Sequence, residues 1–150
     1  MRTFFNIERV QIMNVYRHGE MILIPITETT ESMWLDLFES SGKRMENPRI
    51  IAEGEVTGHK HEFEGGEVDG IELNEDVTIQ SARTSNFVSR RSLLRALGVG
   101  AIAGPVMLMK IAQGTTLKHP EHNALKIPEG HYVVYAQREY DEGSARRVLD

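Results

Sequence analysis

Two close pairs of histidines are the residues of this chain that are best suited to chemistry. His59 and His61 lie two residues apart in a segment that reads as a β-strand, and His119 and His122 follow much later in the chain. Alternate residues of an extended strand point to the same face, so His59 and His61 can converge on one point. The spacing predicts a site that the second pair completes when the fold brings the two pairs together.

These pairs have the chemistry of a metal site. A neutral imidazole binds Zn, Fe, Ni or Cu, and a catalytic site typically has three protein ligands and a water molecule. Because the chain has no cysteine, thiolate ligands are excluded. We expect a divalent transition metal, Zn or Fe, with these candidate ligands: His59, His61, His119 and His122. Glu62 or Glu121 would then act as a carboxylate ligand or as the acid/base of a metal-dependent reaction.

A structural role is the alternative to a metal site. Lys60, between the first two histidines, indicates that one face of that strand is exposed to water. Residues 119–122 would instead form a tight turn whose imidazoles hydrogen-bond to backbone groups. The other two histidines of the chain, His18 and His131, lie in predicted turns, and no functional role is predicted for either.

The bulk composition limits the class of protein. A chain of 150 residues suits a single domain over residues 1–150. A net charge of −5 argues against non-specific binding of nucleic acid, which needs a basic surface. The charged N-terminus lacks the apolar run of a signal peptide, and no stretch reaches the roughly 18 apolar residues of a membrane-spanning helix. The absence of cysteine suits a reducing compartment, and we expect a cytoplasmic protein without a membrane span.

Short apolar, β-branched runs separated by turn residues predict a mainly β domain. We expect a small barrel or sandwich of about seven strands, with one short amphipathic helix and an inserted helical segment. Residues 17–20 read as a hairpin turn, and a long strand over residues 49–63 is expected to carry the first histidine pair. The amphipathic helix is predicted over residues 30–40, with Thr30 as its N-cap and Gly42 as its stop.

Residues 81–105 differ from the rest of the chain in composition and are predicted to be an inserted segment. Within them, residues 89–94 read SRRSLL, which resembles a twin-arginine export signal. Such signals belong at an N-terminus, whereas this one is internal. Export is therefore not expected.

The inserted segment is predicted to contain a helix over residues 87–99 with an apolar stripe. Three leucines form the stripe: Leu93, Leu94 and Leu97. Three arginines are expected to face solvent: Arg90, Arg91 and Arg95. The stripe must be covered by the chain's own barrel, by a second copy or by another protein. We expect residues 87–105 to form a homo-oligomer or to bind a protein partner.

Four motifs together resemble a family of small uncharacterised proteins of bacterial and phage genomes. They are residues 52–61 (AEGEVTGHKH), 119–122 (HPEH), 128–132 (PEGHY) and 137–140 (QREY). The resemblance implies that the two histidine pairs belong to one pattern. It implies no particular activity.

Residues 54–70 also resemble the first motif of the cupin family, in which a His-x-His lies on a strand of a small β-barrel. The spacing from Gly54 to His59 is one residue shorter than in that motif, and the second cupin motif is not present. The likeness to cupins is therefore loose.

Overall fold

The computed structural model describes residues 15–40, 42–53, 58–141 and 144–147, and within them it is mainly β. The strands are β1 (Tyr16–His18), β2 (Met21–Pro25), β3 (Lys43–Arg44), β4 (Ile50–Glu53), β5 (Lys60–Gly65), β6 (Val68–Leu73), β7 (Thr78–Gln80), β8 (Phe87–Ser89), β9 (Val106–Ile111), β10 (Thr115–Lys118), β11 (Leu125–Ile127), β12 (Gly130–Ala136), β13 (Arg138–Asp141) and β14 (Ser144–Arg147). The helices are α1 (Glu28–Ser40) and α2 (Arg90–Ala96). The mainly β prediction is confirmed.

The strands form two larger antiparallel sheets. One sheet has six strands in the order β1-β2-β12-β9-β6-β3, and the other has four in the order β11-β10-β5-β4. β7 pairs with β8, and β13 pairs with β14. Among the described residues these sheets are open and no closed barrel forms. The number of strands exceeds the predicted seven because several are pieces of two to four residues, too short to have a periodicity of their own.

The central strands of the six-stranded sheet are apolar on both sides because both of its faces are covered. Residues 21–24, 106–109 and 132–135 are buried without alternation. One face shares an apolar cluster with the four-stranded sheet that includes Met21, Leu23, Met109, Phe63 and Leu117. The other face shares a cluster with the helices that includes Leu108, Val133, Trp34, Leu37 and Leu93. The two sheets and the helices therefore form three layers.

The single long strand predicted over residues 49–63 is wrong. The chain reverses within it, so that β4 and β5 are antiparallel neighbours with Ala52 opposite His61. Gly58, just before β5, has φ +70, a conformation that glycine adopts readily. A continuous β-type pattern does not reveal such a reversal.

Helix α1 confirms the predicted amphipathic helix but begins earlier. Trp34 and Leu37 are fully buried on its inner face, and the indole of Trp34 donates to the carbonyl of Tyr132 at 3.0 Å. The helix begins at Glu28, so Thr30 is not its N-cap. The hydroxyl of Thr30 instead accepts from the backbone N–H of Thr27, the residue just before the helix, at 3.0 Å. Gly42, the predicted stop, follows the helix with φ +97.

The segment predicted as an insertion packs on its own chain. Its helix α2 is shorter than residues 87–99, because β8 precedes it and Ser89 forms a capping box with Ser92. Leu93 and Leu94 are 0% and 3% exposed in the cluster shared with α1. The apolar stripe therefore needs no second copy or partner to cover it. No helix in the described part of the chain is long and apolar enough to cross a membrane.

Arg90, the first arginine of the SRRSLL sequence, is buried, and its predicted exposure is wrong. It is 3% exposed, and its guanidinium donates to the carbonyls of Leu73 at 3.1 Å and Gly104 at 2.8 Å, and also to that of Ile102. Burial lowers the pKa of Arg90, while Glu75 acts in the opposite direction. The side chain ties the start of α2 to the loop before β9.

We predict that Arg90→Met lowers the free energy of unfolding by about 2–4 kcal/mol, because three carbonyls lose a charged donor while the apolar stem is retained. The matched control is Arg91→Met, since Arg91 is the next residue and is exposed. We expect the control to lie within about 0.5 kcal/mol of the native chain. Urea unfolding measures both, and equal stabilities of the two variants would contradict the structural role of Arg90.

Candidate metal centre

Five of the six histidines gather where the two sheets meet at one end of the core. His18 ends β1, His59 precedes β5, and His61 lies within β5. His119 and His122 follow β10. The ring centroids of the contacting pairs are separated by 4.4 to 6.4 Å. The two histidine pairs of the sequence therefore do lie together.

The alternation of β5 decides which of its side chains face the cluster. His61 and Phe63 are 0% and 1% exposed and point between the sheets. Lys60 and Glu62 point to the opposite face of the strand. The structure therefore does not bring Glu62, a predicted acid/base, to the histidines.

Three of the four predicted ligands form a compact group. His61, His119 and His122 each offer a ring nitrogen, and these three atoms lie within 4.8 Å of one another. Tetrahedral Zn–N bonds of about 2.0–2.1 Å place ligand nitrogens about 3.3–3.4 Å apart, so the rings would close by no more than about 1.5 Å on a cation. These three side chains could thus hold a metal ion.

His59, the fourth predicted ligand, lies at the rim of this group. Its ring centroid is 5.6 Å from that of His119, and its Nδ1 lies 3.2 Å from Oε1 of Glu121. The side chains of His59 and Glu121 are 33% and 50% exposed. The structure therefore brings Glu121 beside the cluster, on the side that faces water.

His18 has a part in the cluster that the sequence analysis missed. It is 4% exposed, its Nδ1 lies 3.0 Å from Nδ1 of His61, and its Nε2 lies 2.9 Å from the carbonyl oxygen of Asn123. The sequence placed His18 in a turn, whereas it is the last residue of β1: its cross-strand partner is the buried Met21, and both side chains enter the core. His131 lies in β12, where it stacks on Trp34 with ring centroids 4.2 Å apart.

The turn between β1 and β2 packs directly against the histidines. Gly19 has φ +60, and a Cβ built on it would lie 2.5 Å from Nε2 of His122 and 3.0 Å from Cε1 of His61. Glu20, the next residue, is 3% exposed. The sequence offered one signal for this turn, a glycine and two polar residues just before an apolar strand, but nothing in it indicated that the turn touches the histidines.

A backbone contact orients His119. The N–H of Glu121 donates to Nδ1 of His119 at 3.0 Å. Nδ1 therefore holds the lone pair in the metal-free ring, and the proton of a neutral His119 is on Nε2. A cation that binds Nδ1 takes the place of this N–H donor.

The structure also has a small cavity whose lining residues are mostly apolar. It has a volume of about 80 Å³, and its lining includes Met21 and Ala52, the cross-strand partners of His18 and His61. Gly104 and Pro105 also line it. A larger and more open cleft of about 410 Å³ is lined by other residues, among them Lys110 and Glu129. Neither the small cavity nor this cleft is lined by any of the five clustered histidines.

Comparison with known proteins identifies a family but no activity. Residues 17–137 match a family described as a domain of unknown function, DUF8820. The matched region contains both histidine pairs, His18 and the whole segment 81–105. No curated protein and no solved structure matches the chain. The expectation of a small uncharacterised family is thus confirmed at the level of the family, while the likeness to cupins gains no support.

We predict that Gly19→Ala lowers the free energy of unfolding more than the same substitution at a glycine that has a similar φ but no close neighbour. Gly98 has φ +79 and no atom within 4 Å of a built Cβ, so Gly98→Ala is the matched control. Both changes carry the backbone cost of about 1–2 kcal/mol. Gly19→Ala should lose at least about 1 kcal/mol more, because its methyl group displaces His122. Chemical unfolding compares the variants, and equal losses would mean that the turn does not contact the histidines.

Proposed function

Because the chain belongs to the DUF8820 family, a family of unknown function, we infer its function from the histidine cluster and propose that it binds a divalent transition metal. The observation that carries the proposal is the group formed by His61, His119 and His122, whose ring nitrogens lie within 4.8 Å of one another. Two of these side chains are buried, with 0% exposure for His61 and 6% for His119. An isolated surface histidine offers no such convergence.

The donor set favours Zn or Fe over the hard cations. Imidazole nitrogen suits Zn, Fe, Ni and Cu, whereas Ca and Mg prefer oxygen ligands. Three protein ligands leave one position of a tetrahedral ion for water or a substrate, which is the arrangement of catalytic zinc sites. The proposed centre is therefore an open site and not a closed structural one.

The surroundings favour a metal-dependent enzyme over a purely structural ion. Glu121 and His59 form a partly exposed pair on the water side, at 3.2 Å. We propose Glu121, and not Glu62, as the acid/base, since Glu62 lies on the far face of β5. When bound, the metal would supply Lewis-acid chemistry or an activated water.

The alternative function, a binding module that uses residues 87–105, has weaker structural support. Its basis was an apolar stripe in need of a cover, and Leu93 and Leu94 are already covered by helix α1. Among the described hydrophobic residues of the segment, Phe87 is strongly exposed, at 74%. A single exposed phenylalanine is ordinary for a protein surface.

We predict about one transition-metal ion per chain in protein purified without a metal-affinity tag, as expected for a single site with three imidazole ligands. His122→Ala is the first variant to measure, because His122 is only half-buried and its loss disturbs packing least. It should weaken metal binding more than about 100-fold, beyond the usual effect of a residue that only supports a ligand. Elemental analysis gives the stoichiometry, and competition with a chelator gives the affinity.

The controls separate ligand loss from unfolding. His131→Ala removes a histidine that stacks on Trp34 outside the cluster and should keep the metal. His59→Ala should weaken binding by no more than about 10–100-fold, because His59 lies outside the group of three. Circular dichroism verifies that each variant is folded. Native protein that contains no metal and takes up neither Zn nor Co would overturn the proposal.

A further inference from the structure

Two ring-nitrogen contacts connect His18 to other residues of the site. Nδ1 of His18 lies 3.0 Å from Nδ1 of His61, and Nε2 of His18 lies 2.9 Å from the carbonyl oxygen of Asn123. Both rings are buried, at 4% and 0% exposure. His18 itself is not in the group of three that can hold a metal.

The direction of these hydrogen bonds follows from the donors available. A carbonyl oxygen only accepts, so Nε2 of His18 carries a hydrogen and donates to Asn123. A neutral His18 then has its lone pair on Nδ1 and accepts from Nδ1–H of His61. His61 in turn has its lone pair on Nε2. Only a doubly protonated His18 would reverse the bond between the two rings.

We propose that His18 is a positioning residue that holds His61 in the tautomer with Nδ1–H, so that Nε2 is directed at the metal. This proposal rests on the proposed function, because the lone pair on Nε2 of His61 has a role only if the site binds a metal. Metal-ligating histidines usually donate their other ring N–H to a partner that fixes tautomer and orientation. Here the partner is another imidazole, and the Asn123 carbonyl fixes that imidazole in turn.

The position of His18 in the fold supports this assignment. His18 belongs to the six-stranded sheet and His61 to the four-stranded sheet, so the bond joins the two layers at the cluster. The next residue, Gly19, lies too close to His61 and His122 to accept a side chain. The turn between β1 and β2 is therefore packed against these histidines, and it holds the ring of His18 next to His61.

The first test uses the metal-free protein and does not depend on metal binding. Nitrogen-15 NMR of the imidazoles, recorded at a pH where the rings are neutral, reports which ring nitrogen carries the hydrogen. We expect His61 as the Nδ1–H tautomer and His18 as the Nε2–H tautomer. A His61 with its hydrogen on Nε2, or a doubly protonated His18 under these conditions, would overturn the proposal.

The second test compares two substitutions of His18. His18→Phe keeps a ring but removes both nitrogens, whereas His18→Asn keeps an acceptor near the position of Nδ1. His18→Phe should release the tautomer preference of His61 and weaken Co²⁺ binding by about 10–100-fold, and His18→Asn should recover most of the affinity. Co²⁺ absorption measures the affinity and the ligand field, and thermal unfolding verifies the fold.

Different results would contradict the metal-binding proposal and the positioning role of His18. If the native protein binds no Co²⁺ or Zn²⁺ while His61 is the Nδ1–H tautomer, the metal proposal is wrong and the tautomer assignment stands. If the native protein binds metal and His18→Phe binds it equally tightly, His18 is not a positioning residue. Equal losses in His18→Phe and His18→Asn would also contradict the assignment, because they would indicate a packing role only.

Discussion

The antiparallel pairing of β5 with β10 is the constraint on which the site depends. Lys118 lies opposite Glu62, so the chain that leaves β10 at His119 passes beside His61. The register is held by Phe63 and Leu117, cross-strand partners that are 1% and 0% exposed. A shift by one residue would turn the buried face of β5 to solvent and would remove His61 from the cluster. The two histidine pairs thus meet because apolar residues align their strands.

The six-stranded sheet supplies the other half of the site through the turn between β1 and β2. This turn is short, with His18 directly opposite Met21, and Gly19 has φ +60, as in the turns that suit tight hairpins. Two constraints favour glycine at position 19. The left-handed conformation suits glycine, and a Cβ there would contact His122. The histidines therefore sit between a strand of one sheet and a turn of the other, and the geometry of the cluster depends on how the two sheets stack.

The sequence predicted the parts of the molecule that follow from local pattern. The mainly β class, the apolar face of α1 around Trp34 and Leu37, and the convergence of His61, His119 and His122 were all expected from spacing and residue type. The reversal between β4 and β5 was missed because both strands have the same kind of pattern. Other features depend on tertiary contacts that a local pattern does not reveal. Arg90 reads as a solvated helix residue, yet three carbonyls from distant segments surround it.

His18 is the clearest case of information that a local pattern cannot contain. Its neighbours Arg17, Gly19 and Glu20 describe a polar turn correctly, but the atoms that it bonds belong to His61 and Asn123. Separations of 43 and 105 residues lie between these partners and His18. Only the stacking of the sheets brings them into contact. A pattern argument can identify ligands that share a strand, whereas the group that orients them comes from another layer.

The placement of polar rings at the end of an apolar core is itself an argument for function. A buried polar group costs about 1–3 kcal/mol when its hydrogen bonds are not replaced, so well-packed apolar side chains would make a more stable core at this position. The chain instead places His18, His61 and His119 there, at 4%, 0% and 6% exposure. Departures from the most stable choice are expected where a site constrains the sequence. His61, His119 and the half-buried His122 can converge on an ion, and the outer pair of His59 and Glu121 faces water. This division into a buried inner group and a wet rim is what an open metal site requires, because the ion needs fixed ligands on one side and access on the other.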